Sequence, residues 1–296
     1  MGVPPPFEVY GGSHMKLKSA VCIILSAVLL LSCGNAGAKV VKPQYTYTDT
    51  AEVESVREAM RYIIHAAGRL TGVDRDGVTR TYDGSNSLEG MRQCIEAGCE
   101  VVELDFNFTS DGYLACIHDW YTEYADEITN NVPLTLEEFL DCRIYRNFTP
   151  IWLGDVVELL RENDGLYIVT DIKDDNIAGI TAIAEYAPDL KDRFIVQIYS
   201  EDEYDAVREL GFEYVIYTLY RLDWSPKVDW RSLGEFAGTH PLVGFTFSYE
   251  LCSVDGYVDG MLSSGTPLYI HTVNGDTEQQ PYFDMGITGI YTDDVK

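Results

Sequence analysis

Four short segments of this 296-residue chain combine acids, a lysine and histidines in patterns suited to holding a cation and moving protons. Residues 101–107 read Val-Val-Glu-Leu-Asp-Phe-Asn, so Glu103, Asp105 and Asn107 alternate with Leu104 and Phe106. In a β-strand this alternation puts the three polar side chains on one face. Two carboxylates on a buried face are costly unless paired or bound to a cation, and an all-oxygen donor set suits Mg²⁺ or Ca²⁺. A second apolar run ends in Thr170-Asp171-Ile172-Lys173, with Asp171 and Lys173 again sharing a face. Asp171 would complete the donor shell and Lys173 would meet a phosphate oxygen; taken alone, the pair reads more simply as a solvated strand end. His65 closes Ile63-Ile64-His65, and His118 follows the turn Ser110-Asp111-Gly112 and a short run, Tyr113–Ile117. Imidazole titrates near neutral pH, so two histidines beside carboxylates form a natural acid–base pair. His271, in Tyr269-Ile270-His271-Thr272, is expected to line the pocket in a packing or specificity role. His240 reads as a loop residue before Pro241, and Asp293 and Asp294 as a solvated terminus.

These residues need a scaffold that brings distant segments to one rim. Short β-branched and aromatic runs predict strands at Tyr62–Ala66, Glu100–Phe108, Leu166–Asp171, Phe194–Ile198, Tyr214–Thr218, Leu242–Phe247, Pro267–Thr272 and Gly289–Thr292. Helical stretches separate them, and the second gap holds an extra strand, Tyr113–His118, and a helix, Leu136–Cys142. Eight repeats of strand then helix imply parallel strands, and closure into a TIM (β/α)₈ barrel is the natural α/β solution. No glycine-rich dinucleotide fingerprint supports an open sheet. Barrel enzymes place their reactive groups at the carboxyl ends of strands, where His65, Asp171 and His271 fall. No helix is expected after the eighth strand, and a helix at Ala51–Met60 is expected to cover that gap.

The chain carries 48 acidic and 21 basic residues, a formal net charge of -27. That field repels nucleic acid and anionic headgroups, so no nucleic-acid partner is expected and an anionic substrate needs a local cation. Met15, Lys16 and Lys18 precede an apolar run from Ala20 to Leu31 that is short for a bilayer span and fits a signal peptide. Leu30-Leu31-Ser32-Cys33 resembles a bacterial lipoprotein cleavage box, which implies a lipidated Cys33 and a membrane anchor on the periplasmic or extracellular face. The expected division is residues 1–33 as upstream extension and signal, 34–50 as tether and 51–296 as barrel. Cys22 lies in the signal, five cysteines remain beyond Cys33, and no Cys-x-x-Cys pair occurs, which argues against a disulfide framework or a zinc knuckle. Nothing in the sequence specifies an oligomeric state.

Together these pieces resemble the glycerophosphodiester phosphodiesterase family. The stretch Glu103-Leu-Asp105-Phe-Asn-Phe-Thr-Ser-Asp111-Gly112-Tyr-Leu-Ala-Cys-Ile-His118-Asp119 is similar to the family's acidic strand and His-Asp signature. Asn86-Ser87-Leu88-Glu89 resembles its Asn-Thr-Leu helix start, and Asp171-Ile172-Lys173 its Glu-Ile-Lys. Thr272-Val273-Asn274 and Gly286-Ile-Thr-Gly289-Ile-Tyr-Thr292-Asp293 resemble the last two strand motifs. The resemblance implies a barrel hydrolysing a small phosphodiester, with a divalent metal (Ca²⁺ or Mg²⁺) on Glu103, Asp105 and Asp171. It implies His65 and His118 as the acid–base pair, Lys173 stabilising transition-state charge, and Asn86 and His271 at the substrate. The family's His-Arg-Gly is His65-Ala66-Ala67-Gly68 here, so the loop Arg69–Ser85 is expected to supply a replacement cation from Arg69, Arg75 or Arg80. The alternatives are a non-catalytic surface lipoprotein that binds a phosphorylated headgroup or glycan, and a glycosidase using Glu103 with a second carboxylate. Two acids on one strand face suit joint metal binding better than flanking a sugar.

Overall fold

The computed structural model describes residues 45–222 and 229–296. The expected signal segment and most of the tether lie outside the described residues. Eight parallel strands close into a barrel: β1 (Tyr62–Ile64), β4 (Val101–Phe108), β6 (Tyr167–Ile172), β7 (Phe194–Ile198), β8 (Val215–Thr218), β9 (Gly244–Ser248), β10 (Leu268–His271) and β11 (Gly289–Thr292). Closure comes from β1, which pairs with β11 on one side and with β4 on the other through Ile64 and Val102. Two elements lie outside the cylinder: the hairpin β2 (Leu70–Val73) and β3 (Thr79–Tyr82), and β5 (Leu114–Cys116), antiparallel to β4.

Alternation along the strands separates two apolar layers. On β4, Val102, Leu104 and Phe106 face the outer layer, packed with residues of the helices α2 (Leu88–Ala97), α3 (Leu153–Glu162) and α4 (Asn176–Tyr186). Val101 faces inward with Ile63, Val169, Ile195, Ile216, Tyr269 and Tyr291. The interior is apolar at its amino end and carries Glu103, Asp105 and Asp171 nearer the carboxyl end. Glycines make room for the largest inner ring. A Cβ on Gly244 would lie 2.3 Å from the Tyr269 ring, and one on Gly289 would lie 2.2 Å from the Met60 carbonyl oxygen and 2.8 Å from the same ring. Gly289→Ala should therefore destabilise the fold by about 1–3 kcal/mol, the usual cost of overpacking. A denaturant midpoint unchanged from wild type would show that the ring yields freely.

The first helix corrects an expectation. α1 (Thr50–Ala59), capped by Asp49, buries Val53 and Val56 in the inner cluster. It therefore plugs the amino-terminal end of the barrel and does not stand in for an outer eighth helix. An amphipathic helix gains the same burial in either place, so its pattern could not separate them. Asp293–Lys296, after β11, form no helix. No described helix is long and apolar enough to cross a membrane.

The segment read as a loop, Arg69–Ser85, contains the β2–β3 hairpin. It leans on the 120–148 region, where Tyr82 stacks on Tyr145 at 4.5 Å and joins a small cluster around Trp120, Ile128 and Phe139. Asn147 fixes its edge by accepting from the Val73 N–H at 2.9 Å and donating to the Val73 carbonyl at 3.0 Å.

Candidate active site

The parallel register sets Asp105 beside Asp171, one strand apart. Glu103 stands two residues earlier on the same inward face. Each of the three buried carboxylates offers an oxygen, and these atoms lie within 4.8 Å of one another. Their partners differ. Asp171 is saturated: it accepts from the Tyr199 hydroxyl, from the Tyr220 hydroxyl at 3.1 Å and from Lys173 Nζ at 2.8 Å. Burial opposes its charge, but Lys173 and the two tyrosines hold its pKa below the usual value. Asp105 has Lys173 Nζ 2.8 Å from Oδ1, and Asn86 at its other oxygen. Glu103 accepts at Oε2 from the Ala66 N–H at 2.8 Å, while its buried Oε1 has no hydrogen-bond partner among the described residues. Burial and the Asp105 charge push the Glu103 carboxyl up to about 8. Lys173 loses charge stability through burial and regains more from Asp105 and Asp171, so its pKa is raised.

One lysine does not neutralise three buried carboxylates. The unpartnered Glu103 oxygen, facing carboxylates of Asp105 and Asp171, fits an oxygen-binding dication such as Mg²⁺ or Ca²⁺. The donor set is all oxygen and lacks the sulfur ligands typical of structural zinc.

His65 follows β1, where the backbone turns sharply: Ala66 and Ala67 have φ of 45° and 61°, a region strained for a side chain with a Cβ. That turn aims the Ala66 N–H at Glu103 and its carbonyl at the N–H groups of Ser85 and Asn86, both at 2.9 Å. Ala66 is packed under Gly84, whose Cβ, were there one, would lie 2.8 Å from that of Ala66. Position 66 therefore has no room for a long side chain in this arrangement. His65 Nδ1 lies 2.8 Å from Asp293 Oδ1. Burial works against the His65 proton, but the Asp293 hydrogen bond and the fields of Glu103 and Asp105 outweigh it and lift the pKa to about 9.

Asp293 was expected to be a solvated terminus, and the structure corrects this. It is buried, and besides His65 it is held by Asn274, whose Nδ2 donates at 2.7 Å and whose Oδ1 accepts from the Asp293 N–H at 2.8 Å. The available signal was its place just beyond an inner strand. Asp294 pairs instead with Arg69 at 2.7 Å.

The structure gathers His65, Glu103, Asp171 and His271 around a cavity of about 330 Å³, including its open mouth, together with Gln197, Thr218 and Tyr220. Burial, and then the charge of His65, lowers His271 to about 4, so its ring is neutral. Its buried Nε2 has no partner among the described residues. His118 is not among the cavity-lining residues. It sits half-exposed beyond β5 with Nδ1 2.5 Å from Asp119, and its carbonyl accepts from Asn107. Asn86, expected at the substrate, is held by Asp105. Its Nδ2 donates to Asp105 Oδ2 at 2.7 Å and its Oδ1 accepts from the Asp105 N–H at 3.0 Å, so both ends of the amide orient one carboxylate. None of the three loop arginines is free: Arg69 pairs with Asp83 and Asp294, Arg75 with Asp126, and Arg80 with Asp74.

Comparison with known proteins agrees with this geometry. Residues 75–296 match the model of the glycerophosphoryl diester phosphodiesterase family. A glycerophosphodiester phosphodiesterase of Caldanaerobacter subterraneus is 26% identical over 227 residues, covering 71% of this chain and 88% of that one. The crystal structure of the Thermotoga maritima glycerophosphodiester phosphodiesterase superposes with a TM-score of 0.60 at 18% identity, over 80% of this chain and 95% of that one. A phosphodiesterase of Oleispira antarctica, solved with the product sn-glycerol-3-phosphate, gives 0.59 at 16% identity, over 79% and 92%. The chain is thus a TIM-barrel phosphodiesterase and belongs to the glycerophosphoryl diester phosphodiesterase family.

Proposed function

We propose that this enzyme hydrolyses glycerophosphodiesters to glycerol phosphate and an alcohol with the help of one divalent cation held by Glu103, Asp105 and Asp171. The observation that carries the metal role is the buried, unpartnered Glu103 Oε1 within ligand distance of two further carboxylates. A dication bound there would neutralise charge building on the phosphoryl oxygens. Lys173, anchored between Asp105 and Asp171, positions both acids and adds positive potential at the same place. His65, held protonated by Asp293, is the proton donor to the departing alkoxide. His118, with Asp119 behind its Nδ1, is the base that takes a proton from the water whose oxygen ends on the phosphate of the product. His271 offers its neutral ring edge to the bound substrate. Support for the substrate class comes from the family match and from the glycerol-phosphate complex of the Oleispira relative.

Exhaustive chelation should abolish hydrolysis of glycerophosphodiesters, with recovery on adding Mg²⁺ or Ca²⁺, while aryl glycosides remain untouched. Full activity in the stripped protein would refute the metal role, and glycoside turnover the substrate class.

We also propose that residues 15–33 direct the chain to a membrane, with Cys33 carrying lipid, a reading supported by Leu30-Leu31-Ser32-Cys33. Cys33→Ser should shift the protein from membrane to soluble fractions; unchanged fractionation would argue against the anchor.

A further inference from the structure

Charge balance leaves the substrate itself unaccounted for. Glu103, Asp105 and Asp171 carry three negative charges when ionised, Lys173 is committed to two of them, and His65 is committed to Asp293. A dication offsets the remaining two. A phosphodiester adds another negative charge, on a chain whose net charge is already -27. Holding it calls for a further cation at the mouth, and that cation must not already belong to a carboxylate.

Among the described residues, Arg221 meets those conditions. It follows β8 at the carboxyl end of the barrel, and its side chain is exposed. Its guanidinium carbon lies over the Tyr199 ring, 3.6 Å from the centroid, and 5.9 Å from that of Tyr220. One Nη2 donates to the Ile172 carbonyl at 2.8 Å, at the end of β6. The two tyrosines beneath it donate their hydroxyls to Asp171, and Tyr220 lines the cavity. The fork is therefore fixed to the wall that holds a metal-ligand carboxylate. Unlike Arg69, Arg75, Arg80 and Arg146, Arg221 has no ion pair among the described residues. A guanidinium stacked on an aromatic face keeps its in-plane N–H groups available, and its planar fork matches two phosphate oxygens.

Building on the phosphodiesterase reading above, we propose that Arg221 binds the substrate's phosphate from the β8 side of the mouth. Its role is recognition of the anion, and the platform of Tyr199 and Tyr220 couples that recognition to the placement of Asp171.

The test compares wild type, Arg221→Ala, Arg221→Lys and, as a control on the outer helices, Arg161→Ala. Each protein, loaded with Mg²⁺ or Ca²⁺, is titrated with inorganic phosphate by calorimetry and assayed on glycerophosphodiesters. Arg221→Ala should weaken phosphate binding and raise KM by about 10- to 100-fold, the scale of a charge-assisted pair. Arg221→Lys, which keeps the charge without the fork, should lose less, and Arg161→Ala should match wild type. Millimolar guanidinium should partly restore phosphate binding to Arg221→Ala and leave wild type unchanged. Affinity and KM within twofold of wild type, a fall in kcat alone, or no phosphate binding by wild type would overturn the proposal. The calorimetric arm separates it from the broader reading. A wild type that binds phosphate through Arg221 yet hydrolyses no diester would defeat the activity and leave the anion site standing.

Discussion

Replacing His65 with asparagine is expected to lower kcat on glycerophosphodiesters by about 10²- to 10⁴-fold, the range of a positioned acid–base group, with little change in KM. Asparagine can still donate to Asp293, so the rim and the Ala66–Ala67 turn should survive. What it cannot do is deliver a proton. The Asp293 partnership makes the role specific: a carboxylate at Nδ1 holds the ring in place and favours the imidazolium, leaving Nε2 as the donor. The pH profile should show this directly. Wild-type kcat should fall on the alkaline side as His65 loses its proton. With a dication among the carboxylates the fields of Glu103 and Asp105 are offset, so that limb should lie below the metal-free pKa of about 9. The variant should lack the limb altogether. Near-normal turnover by a folded, metal-loaded His65→Asn protein would eliminate His65 as the acid.

Glu103→Gln should have opposite effects on stability and activity. Burial and the neighbouring Asp105 raise the Glu103 carboxyl to about 8, against an unfolded value of about 4.3. A carboxyl whose pKa is raised by folding penalises the native state as pH climbs. The penalty is absent below the unfolded pKa, grows through neutrality and is complete above the folded one. In the metal-free protein the substitution should remove that penalty, adding on the order of a few kcal/mol at pH 8 and flattening the pH dependence of Tm. Glutamine still accepts from the Ala66 N–H. Added Mg²⁺ or Ca²⁺ should stabilise wild type by mass action and the variant hardly at all. Activity should fall on the order of 10³-fold or more, as expected when Lewis-acid stabilisation worth several kcal/mol is withdrawn. Thermal melts at pH 5 and pH 8, with chelator and with metal, read all of this. A variant less stable than wild type in chelator at pH 8 would show that Glu103 is not under electrostatic strain.

The scaffold was legible because inner and outer strand faces leave a period-two pattern that survives without tertiary information. Val101 to Asn107 announces its buried acids because Leu104 and Phe106 must face helices in a closed barrel. The cluster of Glu103, Asp105, Asp171 and Lys173 followed from that register, and the comparisons agree on the barrel. Other features depend on contacts that sequence spacing does not encode. Asp293 looks like the start of a solvated tail until its partners His65 and Asn274 are known, 228 and 19 residues away. Tyr199 and Tyr220 carry no signal in the sequence, since only their hydroxyls, bound to Asp171, distinguish them from other aromatics. Arg221 was hidden for the same reason: a cation beside apolar residues gains meaning only from the ring beneath it. The β2–β3 hairpin escaped notice because its strands are mostly exposed and rely on Asn147, 74 residues from Val73.

The helix that floors the barrel also gives the molecule a direction. Residues leading into it lie beside the strand beginnings, where the Thr48 N–H donates to Glu213 just before β8. The opening lies at the opposite ends of the strands, roughly 16 Å away for strands of about five residues. A molecule held to a surface by its leading residues would therefore point its opening outward. A molecule so oriented would meet diesters free in the surrounding water.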